Sequence, residues 1–311
     1  MTGLDHPIVW LRHADQRLGL VPSLGGGVAA WQCEAEGGPL DLWRPWDGLN
    51  TDRYSLASFA MLPWSNRISG GGFEHDGRFH PMALNRPGEP YPIHGDGWLQ
   101  AWTLEQPSRH ALVMTLESHG FAGNPYHYRA KQTFTLVQGG LDQGVTVTHL
   151  GRGSLRSLPY GLGLHPWFLR SAGTRLTAPV HGVWLSGADP MPTAHTETFP
   201  ATWDLGERID VNGSPIDNGY TGWSGSSCIE WPEQGLQLTM TAPAVQRGGP
   251  DSAHAFCLLY RPPVGPAFCF EPVTHPIDAF HLPGRPGLQV LAEGESLSLD
   301  VQWRFARRSG T

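Results

Sequence analysis

Apolar and polar side chains alternate along several stretches of this chain, most regularly near its end. From Leu297 to Phe305 every second side chain is apolar, and the residues between them are polar. A period of two is that of a strand with one buried face, so the pattern predicts a half-buried antiparallel strand. The same alternation predicts strands at 111–117, 132–138, 144–150 and 235–241.

Turn residues separate these stretches and indicate that the strands are short and numerous. The segment 19–31 predicts two sheet edges joined through a bulge or tight turn, and Asp76-Gly77 predicts a hairpin turn. The 40 glycines and 28 prolines, with 16% charged residues, argue against long charged helices. Residues 171–215 are expected to form a loop anchored by aromatic side chains. We therefore predict that residues 1–311 form a single all-β domain, a large antiparallel β-sandwich.

Composition narrows the functional class. A net charge of -7 without a basic block argues against a nucleic-acid partner. The first residues lack the apolar segment of a signal peptide, and no stretch is long enough to span a membrane. The four cysteines show no CxxC spacing, which favours reduced thiols in a cytoplasmic protein. The 13 tryptophans suit a protein that binds the flat faces of sugars.

One apolar run leads directly into a candidate catalytic carboxylate. The residues from Phe268 to Phe270 are typical of a buried strand, and Glu271 follows them. Pro272 is expected to end the strand because it lacks a backbone donor. A carboxylate beside apolar surface has a raised pKa, which suits a general base near neutral pH. The alternative is a glutamate held in a hydrogen-bonded turn at the end of a strand.

His165 stands in a comparable position. It follows a stretch of small and apolar residues and precedes Pro166, and Trp167 and Phe168 form an aromatic wall beside it. Once protonated, an imidazole in this place can donate a proton near neutral pH. The alternative is a core histidine bonded to a carbonyl.

Three further polar segments interrupt the apolar pattern. Asn66-Arg67 can present a planar guanidinium to hydroxyls or to a carboxylate, or can pair with an acid in the core. His94 lies among glycines that leave room for a ligand, or it is a turn residue. Asp217 precedes a glycine-rich aromatic loop, where it can bind vicinal hydroxyls of a stacked sugar or only its own backbone.

The 15 histidines also suggest a cupin-like metal site as an alternative. Such sites normally show an H-x-H pair or an HExxH motif, and this chain has neither. A zinc site built from the scattered cysteines is equally disfavoured. We therefore predict a site without metal or cofactor.

Five segments together resemble the aldose 1-epimerase (galactose mutarotase) family. They are 66–68, 94–95, 165–168, 217–223 and 271–276. Each motif alone is weak, but five in this order and spacing are specific, and the likeness spans nearly the whole chain. The family fold is a large antiparallel galactose mutarotase-like supersandwich, which agrees with the predicted strands.

The resemblance implies a role for each candidate residue. Glu271 matches the general base that takes the proton of the anomeric hydroxyl, and His165 matches the general acid that protonates the ring oxygen. The ring opens, the C1–C2 bond rotates, and closure gives the opposite anomer. His94 resembles a second histidine near the ring oxygen or C1. The implied hydroxyl-binding residues are Asn66, Arg67 and Asp217.

Trp167 stands where better-known members of the family carry a tyrosine, and an indole can only donate. We place it against the sugar, where it affects which substrate is preferred.

The expected substrate is a free aldohexose such as galactose or glucose, bound by a monomer or homodimer. One alternative is a hexose-6-phosphate mutarotase, which needs a cationic pocket for the phosphate. The sequence shows no basic cluster near the motifs beyond Arg67, Arg78 and Arg86, which argues against it. The further alternative, a sugar-binding or sensing protein on the same fold, needs no acid–base pair.

Overall fold

Strands make up most of the regular secondary structure of the computed structural model, which describes residues 6–35, 37–153, 155–200, 202–248 and 255–307. The strands of the first half are β1 (Val9–His13), β2 (Gln16–Val21), β3 (Gly27–Cys33), β4 (Leu40–Asp41), β5 (Ala60–Met61), β6 (Gly72–His75), β7 (Arg78–Pro81), β8 (Thr103–Ser108), β9 (Ala111–His119), β10 (His127–Val137) and β11 (Gly140–His149). The strands of the second half are β12 (Ser157–Tyr160), β13 (Gly163–Leu164), β14 (Trp167–Leu169), β15 (Arg175–Thr177), β16 (Gly182–Ser186), β17 (Pro192–Thr196), β18 (Ile209–Asp210), β19 (Ile216–Thr221), β20 (Ser226–Trp231), β21 (Leu236–Thr241), β22 (Phe256–Arg261), β23 (Ala267–Val273), β24 (Gln289–Ala292) and β25 (Ser296–Arg307).

Helical structure is sparse, as predicted. The described residues form one α-helix, α1 (Pro243–Gly248). They also form 3₁₀ turns at Arg53–Ser55, Gly97–Leu99, Phe121–Gly123, Leu205–Glu207 and Pro232–Gln234. No helix within the described ranges is long and apolar enough to cross a bilayer.

Two large antiparallel sheets form the sandwich. One has nine strands in the order β18-β15-β20-β21-β25-β11-β10-β9-β8. The other has eight, in the order β17-β16-β19-β22-β23-β13-β5, with β14 also paired to β23. Phe168 of the second sheet packs on Trp303 of the first, with ring centroids 6.2 Å apart. The predicted all-β antiparallel sandwich is confirmed, and the single domain over 1–311 stays a prediction.

Three smaller sheets complete the described structure. The strands β1 to β4 pair in chain order, and β6 pairs with β7 and β12 with β24. The pairing of β2 with β3 shifts register between Gly19 and Leu20, which is the predicted bulge. The hairpin of β6 and β7 turns at Asp76 and Gly77, both with positive φ, as the sequence indicates.

The last strand follows the predicted pattern closely. From Leu297 to Trp303 the apolar side chains of β25 are at most 4% exposed, and the polar ones between them face solvent. The strand pairs with β11 on one side and β21 on the other, so its apolar face covers the middle of the core. The strands expected at 111–117, 132–138, 144–150 and 235–241 correspond to β9, β10, β11 and β21.

The segment 171–215 is not a single loop, contrary to the sequence expectation. It contains the short strands β15 to β18, which join both large sheets. Leu176 and Val183 are fully buried, and these single apolar positions attach the segment to the core. The prediction failed because proline, threonine and glycine between them obscure alternation over such short strands. Asp217, expected at a turn, likewise lies within β19.

A second correction concerns the strand that carries Glu271. Pro272 does not end β23, which continues to Val273 and pairs with β22 over residues 269–273. On the other side β14 pairs with residues 267–269 and β13 with Val273, so the ladder is interrupted between them. Proline is tolerated in strands at such irregularities. The interruption also creates room beside Glu271.

Candidate active site

A cavity of about 370 Å³ opens at the interruption between β13 and β14. We call it the site cavity. Its lining residues are Arg44, Tyr54, Asn66, Arg67, Arg86, Glu89, Ile93, His94, His165, Trp167, Asp217, Tyr260 and Glu271. All seven residues that the sequence singled out are among them, although they are spread over more than two hundred positions.

Glu271 and His165 face each other in this cavity. Glu271 lies in the middle of the eight-stranded sheet, and His165 lies in the two-residue break between β13 and β14. The distance from His165 Nε2 to Glu271 Oε1 is 3.4 Å, and both side chains are 4% exposed. A proton can therefore pass between the two groups with little movement.

Packing fixes the orientation of the His165 ring. The His165 backbone N–H donates to the Phe59 carbonyl over 2.9 Å. The Phe59 ring stacks on the imidazole with centroids 4.6 Å apart and planes 22° from parallel. Trp167 lies against the same ring at 5.4 Å, as the predicted aromatic wall. The imidazole is thus held between two aromatic side chains.

Burial shifts the pKa values of Glu271 and His165 in opposite directions. Loss of solvation raises the pKa of the Glu271 carboxyl well above its usual value, and the nearby Asp217 carboxylate adds to this effect. Loss of solvation lowers the pKa of His165 to about 3, and the Arg44 and Arg86 guanidinium groups also oppose its protonation. Burial therefore favours the uncharged form of both groups, with the proton on Glu271 and a neutral His165. The role of His165 as an acid, once it is protonated, stays a prediction.

His94 is a neutral hydrogen-bond donor. Its Nδ1 accepts the backbone N–H of Asn66 over 3.0 Å, so in the neutral ring the hydrogen is on Nε2. Burial lowers its pKa well below the usual value, with His165 and Arg67 as further causes. The His94 backbone N–H in turn donates to the Asn66 carbonyl over 2.9 Å. His94 and Asn66 thus hold each other in place.

The backbone around His94 depends on one glycine. Asn66, His94 and Gly95 all have positive φ, and a Cβ on Gly95 would lie 1.9 Å from the Leu62 carbonyl oxygen. A side chain at position 95 is excluded by this contact. Gly95, one of the glycines that the sequence marked as space for a ligand, thus lets two backbone segments approach.

Arg67 connects two carboxylates at the cavity wall. Its Nε lies 3.0 Å from Glu89 Oε2, and its Nη1 lies 3.5 Å from Asp217 Oδ2. Burial alone would lower the pKa of Arg67, but Asp217 and Glu89 outweigh it and raise that pKa. Arg67 is therefore charged, and both readings from the sequence hold: it pairs with acids and it lines the cavity.

The turn after β23 positions the segment that carries Asn66 and Arg67. His275 Nε2 accepts the Ser65 backbone N–H over 3.0 Å, while His275 Nδ1 donates to the Pro276 carbonyl over 2.8 Å. Further along, the Asp278 carboxylate accepts from the backbone N–H and the hydroxyl of Ser69. His275 and Asp278 thus hold a segment about two hundred residues away in the chain. Neither residue was assigned a role from the sequence, although His275 falls within the motif 271–276.

Two further arginines line the cavity: Arg44, which the sequence analysis did not single out, and Arg86, which it named near the motifs. Arg44 stacks over the Trp167 ring at 4.3 Å, and Arg86 stacks over the Tyr54 ring at 3.4 Å. Arg78, expected near the motifs, is exposed on the β6–β7 hairpin and does not line the cavity. An arginine among tryptophans, as in Leu42-Trp43-Arg44, is the local signal that could have indicated a buried cation. Tyr54, Glu89, Ile93 and Tyr260 offered no such signal.

Five residues of the site cavity have a buried polar atom without a hydrogen-bond partner in the described part of the chain. These atoms are Tyr54 Oη, Arg86 Nη1, His165 Nδ1, Trp167 Nε1 and Glu271 Oε2. Buried polar groups in proteins are nearly always paired. A concentration of unpaired donors and acceptors around one cavity indicates that its ligand is polar and rich in hydroxyls or comparable groups.

One group of possible metal ligands occurs among the described residues. Atoms of His165, Cys269 and Glu271 lie within 4.8 Å of one another. Burial raises the pKa of the Cys269 thiol well above its usual value, whereas cysteine binds metals as the thiolate. All four cysteines are free, and Cys269 packs against Trp167. The expectation of a site without metal stays a prediction.

Comparison with known proteins adds the family. Residues 7–304 match the profile of the family described as aldose 1-epimerase. The chain belongs to the aldose 1-epimerase family. A relative in Escherichia coli K12, the uncharacterized protein YphB, is 32% identical over 268 residues, which cover 82% of this chain and 86% of YphB.

Solved structures of similar proteins share the fold. A protein of Escherichia coli K12 that its name assigns provisionally to the aldose 1-epimerases superposes with a TM-score of 0.86 at 27% identity, over 97% of this chain and 99% of that one. A galactose mutarotase-like protein of Clostridium acetobutylicum gives a TM-score of 0.81 at 16% identity, over 97% and 96% of the two chains. A galactose 1-epimerase of Lactobacillus acidophilus gives 0.75 at 14% identity, over 99% and 96%. The predicted family resemblance is confirmed.

Proposed function

We propose that this protein is an aldose 1-epimerase that interconverts the α and β anomers of an aldohexose. The observation that supports this most directly is the buried pair of Glu271 and His165, 3.4 Å apart in a cavity of sugar size. A binding protein has no need for two facing titratable groups whose pKa values are shifted in opposite directions. Family membership makes a carbohydrate epimerase the natural class of enzyme.

The reaction begins with a proton transfer within the pair. The proton on Glu271 moves to His165, which leaves a carboxylate and an imidazolium. The carboxylate takes the proton of the anomeric hydroxyl while the imidazolium protonates the ring oxygen, and the bond between C1 and the ring oxygen breaks. The products are the open-chain aldehyde, a protonated Glu271 and a neutral His165.

Ring closure uses the same groups in reverse. After rotation about C1–C2, His165 takes the proton of the hydroxyl that attacks C1, and Glu271 protonates the carbonyl oxygen. The protonation state after opening is the state that closure requires, and it is also the state that burial favours in the free site. No net proton is exchanged with solvent in either direction.

The remaining predicted residues bind and orient the sugar. His94 donates from Nε2 to the ring oxygen or to the oxygen on C1 as charge develops there. Asn66, Arg67 and Asp217 bind ring hydroxyls, and Trp167 covers one face of the ring through its indole. The ion pair with Glu89 fixes the orientation of the Arg67 guanidinium group.

Polarimetry tests this function. Freshly dissolved α-galactose and α-glucose should reach anomeric equilibrium faster with the protein than without it. Glu271→Gln, which keeps the shape but removes the base, should lower the rate by about 10²–10⁴-fold. Circular dichroism and the thermal midpoint of the variant serve as the folding control.

Two outcomes would contradict the proposal. A protein that accelerates no aldose, neutral or charged, but still binds sugars would be a binding or sensing protein on this fold. A Glu271→Gln variant with near wild-type rate would show that another group acts as the base.

A further inference from the structure

A second cavity of about 430 Å³ adjoins the site cavity. We call it the side cavity. Its lining residues are Thr51, Asp52, Arg53, Asn85, Arg86, Pro87, Trp98 and Leu99. Arg86 lines both cavities, so a group attached to a sugar in the site cavity can reach the side cavity past this one side chain.

Two arginines have unused donors at the side cavity. Arg86 Nη1 and Arg53 Nε are buried, and neither has a hydrogen-bond partner in the described ranges. The polar contacts of the other guanidinium nitrogens are long: Arg86 Nη2 lies 3.5 Å from the half-exposed Asp52 carboxylate, and Arg53 Nη2 lies 3.5 Å from the Leu99 carbonyl. Arg86 also stacks on the Tyr54 ring, which leaves its in-plane donors free for a ligand. Unpaired buried guanidinium donors are costly, and an anion satisfies them better than a neutral hydroxyl does.

The site cavity contains a further cation that is not matched by an acid. Arg44 donates to the carbonyls of Tyr54 and Leu56 and, within the described residues, forms no salt bridge. The two cavities together are lined by the arginines Arg44, Arg53, Arg67 and Arg86 and by the carboxylates Asp52, Glu89, Asp217 and Glu271. Four guanidinium groups thus converge on these cavities, although the whole chain carries a net charge of -7.

We infer that the aldose substrate carries an anionic substituent, a carboxylate or a phosphate, which Arg53 and Arg86 bind in the side cavity. This inference rests on the proposed mutarotase function. The anionic group is on a carbon other than C1, because ring opening requires a free anomeric hydroxyl. It also departs from the sequence expectation of an uncharged hexose, which was based on arginines near the motifs and did not include Arg44 or Arg53.

The first test compares matched sugars. Rates of anomeric exchange, measured by NMR, give kcat/KM for a neutral hexose, the corresponding hexuronate and the hexose 6-phosphate. At least one anionic sugar should exceed the neutral hexose by about 10- to 100-fold, the effect of one charge-assisted hydrogen bond. The advantage should shrink as salt is added, since charge recognition is screened. A neutral hexose that reacts as well as both anionic sugars overturns the inference.

Arg53→Gln tests the residue itself. Arg53 lines the side cavity and not the site cavity, so the variant should lose most of the preference for the anionic sugar and change the neutral hexose less. Arg78→Gln, on the exposed hairpin, is the matched control and should leave the ratio unchanged. An equal loss for both sugars would mean that Arg53 only supports the fold, which contradicts the inference.

Equilibrium binding separates this inference from the proposed function. In Glu271→Gln, titration calorimetry should show tighter binding of the anionic sugar than of the neutral one, whether or not the wild-type protein turns either over. If binding shows the preference and no aldose is equilibrated, the proposed function fails and the anion site stands. If inorganic phosphate binds as tightly as the sugar phosphate and does not compete with it, the side cavity takes a free anion, and the substrate inference is wrong.

Discussion

Strands β23 and β25 lie in the two large sheets, yet they place their polar residues differently. In β25 the polar side chains face outwards and bond to neighbours, as Ser298 does with Thr146 over 3.0 Å. In β23 all seven residues are buried, and one of them is Glu271, whose Oε2 has no partner within the described ranges. One strand follows the rule of apolar inside and polar outside, and the other breaks it at a single position.

The difference distinguishes residues that stabilise the fold from residues that react. An outward polar residue on β25 costs little, whereas an unpaired buried carboxyl costs about 1–3 kcal/mol of stability or more. Such a group lowers stability without improving packing, so its position is best explained by chemistry. Substitutions at the two kinds of position should therefore have different effects on activity and on stability.

The largest effect is expected from the acid–base pair. Glu271→Gln and His165→Ala should each lower kcat/KM by about 10²–10⁴-fold, and the double variant should lose little more than either alone because the two groups act as one unit. Asp300→Asn, on the outward face of β25, is the control and should stay near wild type. The measurement is anomeric exchange with the preferred sugar. If the fold-loss of kcat/KM in the double variant equals the product of the two single losses, the two groups act independently.

Trp303 of β25 should show the opposite behaviour. Its side chain is 1% exposed and packs on Trp43 and Phe168. Trp303→Ala removes a large buried ring and should lower the free energy of unfolding by about 3–5 kcal/mol. The folded fraction should keep its kcat, since Trp303 does not line the site cavity. Urea denaturation measures the free energy of unfolding, and anomeric exchange measures kcat. A Trp303→Ala variant that is stable but inactive would mean that Trp303 contributes to the reaction and not to the fold.

Asp96 is a third case: a buried acid that is fully hydrogen-bonded. It accepts from Tyr128, Asn124 and Gln100, and burial raises its pKa to about 6 despite these donors. A carboxyl whose pKa is higher in the folded state stabilises the fold at low pH, and this stability is lost as pH rises from about 4 to about 6.

Asp96→Asn should therefore flatten the pH dependence of stability. Between pH 4.5 and pH 7 the wild type should lose about 2 kcal/mol more than the variant in the free energy of unfolding. Turnover should change only a few-fold, because the carboxylate oxygens of Asp96 are already engaged in hydrogen bonds and are not available for catalysis. Urea denaturation at pH 4.5 and pH 7 measures this difference. An equal loss of unfolding free energy in the wild type and in the variant would contradict the shifted pKa of Asp96.

The smallest effect concerns the acid side of the pH–rate profile. The pair keeps one proton from about pH 3, where His165 would take up a second, up to the raised pKa of Glu271. As pH falls from 6.5 to 5, kcat/KM should therefore change less than about twofold. On the alkaline side the rate should fall as Glu271 loses the shared proton. A decline centred between pH 5 and 6.5 on the acid side would show that His165 is solvated and titrates normally.

The sequence by itself determined the fold class and most of the candidate site. Alternation over long strands such as β10 and β25 needs no tertiary information, because a half-buried strand imposes a period of two on its own residues. The family resemblance predicted seven candidate residues, and all seven line one cavity. Local alternation did not extend to segment 171–215 or to Pro272, where pairing with distant strands sets the structure.

Only the tertiary structure decided the electrostatics of the site. Whether a carboxyl is protonated depends on how much water surrounds it and on which charges lie within a few ångströms, and neither quantity is written in the neighbouring residues. Burial therefore favours the proton on Glu271 over His165. Arg44 and Arg53 join Arg86 around the two cavities through contacts between segments far apart in the chain. Pattern along the chain specifies the strands, and three-dimensional proximity specifies where charge and protons lie.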